Sequence, residues 1–190
     1  MKKYDDQDSV ILLEGKRKVR SQDKNMLIQL GKILAQKTNK ATLRSGNAAG
    51  ADHCFSIGIS SIDNSRFQVI TPYTGHRKKY NKACKTITLD TINLAEEPEI
   101  LYQSKNNQKT KQLVDKYASG IINQYTIKAA YIIRDTIKVL GTKDILPASF
   151  AIFYDDLNDK AQGGTGHTMN VCQQNNIPFV DQATWFKWLK

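Results

Sequence analysis

The sequence predicts a three-layer α/β domain, with a mostly parallel sheet and helices on both faces, and three observations carry that prediction. Short apolar runs alternate with stretches of helical period along the chain. Two glycine-bearing turns each follow an apolar run and open a helical pattern. The 190 residues are enough for one such domain with a substantial core, and neither an internal repeat nor a low-complexity linker divides them. Residues 1–190 are therefore read as a single domain.

The elements follow in order. Ser9-Val10-Ile11-Leu12-Leu13 is a buried first strand stopped by Glu14-Gly15, with Arg17 just past its C-terminal end. Residues 22–36 carry Met26, Leu27, Leu30, Ile33 and Leu34 at helical spacing, and Ala41-Thr42-Leu43 then leads as a second strand into the first glycine turn. Ala51, Cys54, Phe55, Ile57 and Gly58 mark a second helix, and Phe67-Gln68-Val69-Ile70-Thr71 a third strand closed by Pro72. Residues 73–107 are polar, basic and irregular; Lys85-Thr86-Ile87-Thr88-Leu89 alternates as a strand does, but the order of this region is left open.

Helices are expected over residues 110–119 and 124–140, the second placing Arg134 near its apolar stripe. Residues 104–109, rich in lysine and asparagine, read as an exposed loop. Residues 148–154 give the strongest strand pattern and residues 155–162 a polar loop. A helix over 165–174, a last strand over 177–180 and a terminal helix over 184–189 complete the chain.

Charge is the unusual feature of the composition. Twenty-eight Lys and Arg against 18 Asp and Glu give +10, which favours anionic partners such as nucleic acid or a phosphorylated small molecule, while a merely solvated lysine surface fits the same number. Cys54, Cys84 and Cys172 stand singly, without CxxC spacing, which argues against a disulfide framework or a metal site and fits a reducing, cytoplasmic setting. Cys54 and Cys172 read as small buried hydrophobes. No apolar run approaches the ~20 residues needed to span a bilayer, and the first residues lack the apolar stretch of a signal peptide, so neither membrane association nor export is expected. Homo-oligomers are compatible with all of this.

The two turns are the chemistry-bearing motifs. Arg44-Ser45-Gly46-Asn47-Ala48-Ala49-Gly50-Ala51-Asp52 and Gly163-Gly164-Thr165-Gly166-His167-Thr168 each offer bare backbone N–H groups at the start of a helix, where the dipole favours an anion. In an open α/β sheet, ligands collect beyond the carboxyl ends of the strands. Gly15 with Arg17, the Gly46–Gly50 turn and the 163–166 turn all fall there, so amides from two turns and the Arg17 guanidinium can hold one phosphate. The alternative for each turn alone is a tight connection.

Ser45-Gly46-Asn47-Ala48-Ala49-Gly50-Ala51-Asp52 resembles the SGGAxGxD turn of the SLOG superfamily, which includes the DNA-processing protein DprA and the LOG phosphoribohydrolases. The second turn resembles that superfamily's GG-x-G motif, and Tyr131-Ile132-Ile133-Arg134-Asp135-Thr136 through Leu140-Gly141 is similar to the helix beside the nucleotide pocket of small DprA-like proteins. The match runs in order over residues 8–181 and implies a Rossmann-like fold. It also implies that Asp52 and Arg134 belong to a ligand pocket. From the residues alone, Asp52 equally fits a helix cap, and Arg134 an ion pair with Asp135, Asp155 or Asp156. Two positions depart from the pattern: Asn47 stands where the first turn usually has a second glycine, and Asn170 where the LOG enzymes carry a glutamate.

The leading expectation is a binding protein for a nucleotide or nucleotide-derived phosphorylated ligand, needing no cofactor and performing no chemistry. Its site comprises Gly15, Arg17, Ser45, Gly46, Asn47, Ala49, Gly50, Asp52, Arg134, Gly163, Gly164, Thr165, Gly166 and His167. A LOG-like hydrolase of nucleoside monophosphates is the second reading, and Asn170 weighs against it because an amide exchanges no proton. Adjacent Asp155 and Asp156 offer an acid and a base but equally fit a solvated turn. A DNA-binding protein in recombination is the third, resting on Tyr73, His76, Arg77, Lys78, Lys79 and Tyr80 as stacking and phosphate contacts.

Overall fold

The computed structural model describes residues 2–156 and 163–189; most of the polar loop expected over 155–162 lies outside the described residues. Six strands form one parallel sheet: β1 (Val10–Gly15), β2 (Thr42–Ser45), β3 (Phe67–Thr71), β4 (Lys85–Thr88), β5 (Phe150–Tyr154) and β6 (Phe179–Val180). Their order across the sheet is β4-β3-β2-β1-β5-β6. The irregular region thus contributes a parallel edge strand, with Ile70 opposite Ile87, and its lysine and threonines suit a sheet edge that must not pair further.

β3 reaches β4 through a loop with one 3-10 turn at Lys78–Tyr80. Helices carry the other crossovers, α1 (Lys24–Lys37), α2 (Ala51–Ser60), α3 (Pro98–Ser104), α4 (Lys111–Ala118), α5 (Ile127–Leu140) and α6 (Gly163–Gln174), and α7 (Gln182–Trp185) follows β6. Strand alternation divides the core between them. Ile11 and Leu13 of β1 pack with Leu27, Leu30 and Leu34 of α1, Phe55 and Ile59 of α2, and Trp185 of α7. Leu12 points the other way, joining Phe153, Val139 of α5 and Val171 and Cys172 of α6. On that second face Ile70 meets Ile100, Val114, Ile133 and Ile137 of α3, α4 and α5. The result is the predicted Rossmann-like sandwich of helix, sheet and helix. Among the described residues, no helix is long and apolar enough to cross a membrane.

Two local expectations change. α3 had no periodic signal, because its seven residues start from Pro98 at the first helical position and bury only Ile100, Gln103 and Ser104. Ser104 consequently does not belong to an exposed loop: it is fully buried and its hydroxyl donates to Thr136 Oγ1 at 2.9 Å.

Candidate functional site

The same alternation sets up the polar centre of the molecule. Glu14 shares the parity of Leu12, so it faces α5 and α6, and Arg44 of β2 does likewise. Both are buried, so both need partners. Arg44 donates to Gln68 Oε1 at 2.7 Å and to the Lys138 carbonyl at 3.0 Å. Lys138 Nζ lies 2.6 Å from Glu14 Oε2 and 2.9 Å from Asp135 Oδ1, and Thr168 Oγ1 lies 3.0 Å from Glu14 Oε1. One turn before Lys138, Arg134 Nε lies 2.9 Å from Asp135 Oδ1.

Two carboxylates therefore face two cations in a water-poor layer. Burial works against both acids, but Arg134 and Lys138 hold Asp135 below its ordinary range. At Glu14 burial prevails over the pull of Lys138, helped by the neighbouring negative Asp135, and its carboxyl is pushed up to about 8.

Above this layer, at the carboxyl ends of β1 and β5, lies a cavity of about 1200 Å³. It opens between adjacent strands whose connections leave in opposite directions, since β2 to β4 lie on one side of β1 and β5 and β6 on the other. The end of β1 supplies Gly15 and the loop after it Lys16, Arg17, Lys18 and Arg20; the loop after β3 supplies His76 and Arg77; α5 supplies Lys128, Tyr131, Arg134 and Asp135. Ala48 and Ala49 of the first glycine turn and Gly163, Gly164 and Thr165 of the second complete the named walls.

Both glycine turns thus reach one cavity, but most of the first turn holds the protein together. Asp52 does not line the cavity. It is 1% exposed, and its carboxylate accepts from the amides of Gly15, Gly46 and Ala48 at 3.1–3.2 Å, so from the first turn of α2 it ties the glycine turn to the end of β1, and among the described residues no side chain caps the helix itself. Ser45 and Gly46 are also off the lining. Gly46 is pressed against the Arg134 guanidinium, which donates to its carbonyl at 2.5 Å. Asn47 takes the left-handed conformation at φ 53° and donates through Nδ2 to the His76 carbonyl at 3.0 Å, coupling the turn to the loop after β3. Gly50, at φ 80°, packs against the backbone of Arg17, where a Cβ has no room.

Within α6 the glycines are part of the first turn of the helix itself. Gly166 and His167 turn inward, and His167 Nε2 lies 2.9 Å from Thr136 Oγ1, not in the cavity. Burial lowers the His167 pKa, keeping the ring neutral. Asn170 is exposed and outside the cavity, so the position matched to the LOG glutamate does not meet a ligand there. Asp155 and Asp156 line the cavity, and Asp155 is paired with Lys16 at 3.2 Å.

Of the second candidate set, His76 and Arg77 line the cavity, whereas Lys78 and Lys79 lie outside it on an exposed turn. Tyr131 and His76 meet edge to face with ring centres 5.6 Å apart, and Tyr73 closes the cluster at 5.1 Å from His76. Burial, with Arg134 and Arg77 nearby, pushes the His76 pKa down to about 4. Lys16, Lys18, Arg20, Lys128 and Tyr131 are absent from the sequence-derived site. The run Lys16-Arg17-Lys18-Val19-Arg20 directly after a strand was the available signal; Tyr131 opens the stretch that resembles the pocket helix, and Lys128 carried nothing beyond its position in a helix.

No family model matches the chain, and no curated protein matches it. Among solved structures, DNA processing protein A from Helicobacter pylori is similar. The TM-score is 0.51 at 12% identity, over 94% of this chain and 67% of that one. This chain shares its fold with DNA processing protein A. The structure of the Helicobacter DNA processing protein A is described for its binding mode on single-stranded DNA.

Proposed function

We propose that the chain binds single-stranded DNA without chemistry, seating part of the strand in the cavity at the carboxyl edge of the sheet. The observation that carries the proposal is the composition of that cavity. Arg17, Lys18, Arg20, Arg77 and Lys128 stand around a wall formed by Tyr131 and His76. None of the five makes an ion pair among the described residues. Cations that follow a backbone, with aromatic rings that take bases on their faces, form the combination that single strands require. The net charge of +10 adds long-range attraction. The fold shared with a protein described for single-stranded DNA binding supports the same reading. Three unpaired cysteines fit a cytoplasmic setting.

A free nucleotide or another phosphorylated small molecule is the second reading, favoured by the volume of about 1200 Å³, which accepts a mononucleotide whole. Fluorescence anisotropy with a labelled oligothymidylate tests the proposal. Binding to the single strand, displaced by unlabelled single strand but not by duplex and weakened in Tyr131→Ala, is the expected result. Absence of binding at low salt, with calorimetric binding of a mononucleotide, gives the second reading instead.

A further inference from the structure

We propose that a bound strand, given the single-stranded-DNA reading above on which this rests, does not end in the cavity but leaves it across Arg77 and stacks a base on Tyr80, outside the cavity. The two places are joined by a continuous row of cations and rings. Arg134 lies 5.8 Å from the centre of the Tyr131 ring, and Tyr131 meets His76 at 5.6 Å. The next residue, Arg77, lines the cavity yet holds its guanidinium 4.7 Å from the centre of the Tyr80 ring. His53 of α2 meets the same ring edge-on at 5.7 Å.

Arg77 is the hinge of this row and is held at a cost. Its backbone is left-handed, at φ 47° and ψ 35°, a conformation that residues other than Gly, Asn and Asp adopt rarely. Asn47 reaches across from the first glycine turn to donate to the carbonyl of His76 and stands 3.4 Å from that of Arg77, fixing the loop. His76 Nδ1 and Arg77 Nε are buried without a hydrogen-bond partner among the described residues, so both leave polar capacity at the crossing point. Beyond it the surface continues cationic. Lys78, Lys79 and Lys82 are exposed around Tyr80, which is itself 46% exposed. Burial, and then the positive charges of Arg77 and Lys82, lower the pKa of His53, the ring that meets Tyr80 edge-on. An aromatic ring set among cations, exposed beside a cationic cavity, suits a second base and the phosphate between the two bases.

Anisotropy with oligothymidylates of about 4 and about 16 nucleotides tests the extension, on the full chain at one salt concentration. The longer strand binds more tightly than the shorter. Tyr80→Ala weakens the longer strand roughly tenfold, the loss of one stacked base, and leaves the shorter unchanged, while Tyr80→Phe keeps both. Arg77→Gly relieves the left-handed backbone, so it weakens the longer strand without lowering the melting temperature. If both lengths bind equally and Tyr80→Ala changes neither, the extension is wrong and the cavity reading stands. If neither length binds, the cavity reading fails and takes the extension with it.

Discussion

Arg134 and Gly46, 88 residues apart in sequence, are joined by a 2.5 Å hydrogen bond from the Arg134 guanidinium to the Gly46 carbonyl. A Cβ at position 46 would meet that guanidinium and the Asp52 carboxylate. Because the first turn is locked to α5 in this way, Gly46→Ala is expected to destabilise the fold by about 1–3 kcal/mol, the usual result of overpacking a closed site. Urea denaturation measures it. A turn whose amides served only a ligand would instead lose affinity at unchanged stability.

The buried layer beneath the cavity gives a second expectation. Lys138→Met leaves Glu14 and Asp135 facing each other without their shared ammonium and should cost about 3–5 kcal/mol, the result of removing one partner from a buried ion pair. Glu14→Gln keeps the size and most hydrogen bonds and should cost far less. Its pH dependence is diagnostic. The folded chain holds the Glu14 proton up to about 8, while the unfolded carboxyl releases it near 4.5. The Glu14 contribution is therefore fully present below 4.5 and is lost as pH rises toward 8. Wild-type stability should decline across that window more than that of Glu14→Gln. Parallel profiles for the two would remove the raised carboxyl.

On the acid side the sign reverses. His76 in the folded chain takes a proton only near pH 4, whereas the unfolded imidazole takes one near 6.5. Its contribution is present above 6.5 and is lost as pH falls toward 4. His76→Gln should flatten thermal stability between those limits and leave the difference from wild type constant above pH 7. Melting curves over that range decide it.

Salt separates phosphate contacts from stacking. If Arg17, Lys18, Arg20, Arg77 and Lys128 all reach phosphates, the plot of log affinity against log salt has a slope of about −3.5 for a single strand. Lys128→Ala should make it shallower by about 0.7, and Tyr131→Ala should lower affinity without changing it. Equal slopes for wild type and Lys128→Ala exclude Lys128 from the backbone contacts.

The parts of the molecule legible in the sequence are those with a local cause. β3 ends where Pro72 ends it, and α2 begins at the residue after Gly50. α5 follows its apolar period from Ile127 to Leu140. The edge strand β4 was ambiguous because an edge strand lacks the apolar run of a central one, and α3 was silent because seven residues give less than two full periods. At the site, glycine marked where the chain turns but not what each turn contacts. Asp52 reads alike as ligand or cap until the three amides around it are seen, and Glu14 reads as a turn residue until its parity with Leu12 aims it at Lys138.

The cavity at the meeting of β1 and β5 is assembled from the loop after β1, the first glycine turn, the loop after β3, α5, the end of β5 and the start of α6. These segments are distant along the chain, and β1 and β5, adjacent in the sheet, pair Ile11 with Phe150. Closing that pairing encloses the largest loop the sheet contains, so it carries a high entropic cost and is expected late in folding. Ligand binding then reports completion of the whole sheet, and a strand held there stabilises the last-formed pairing of the domain and slows its opening.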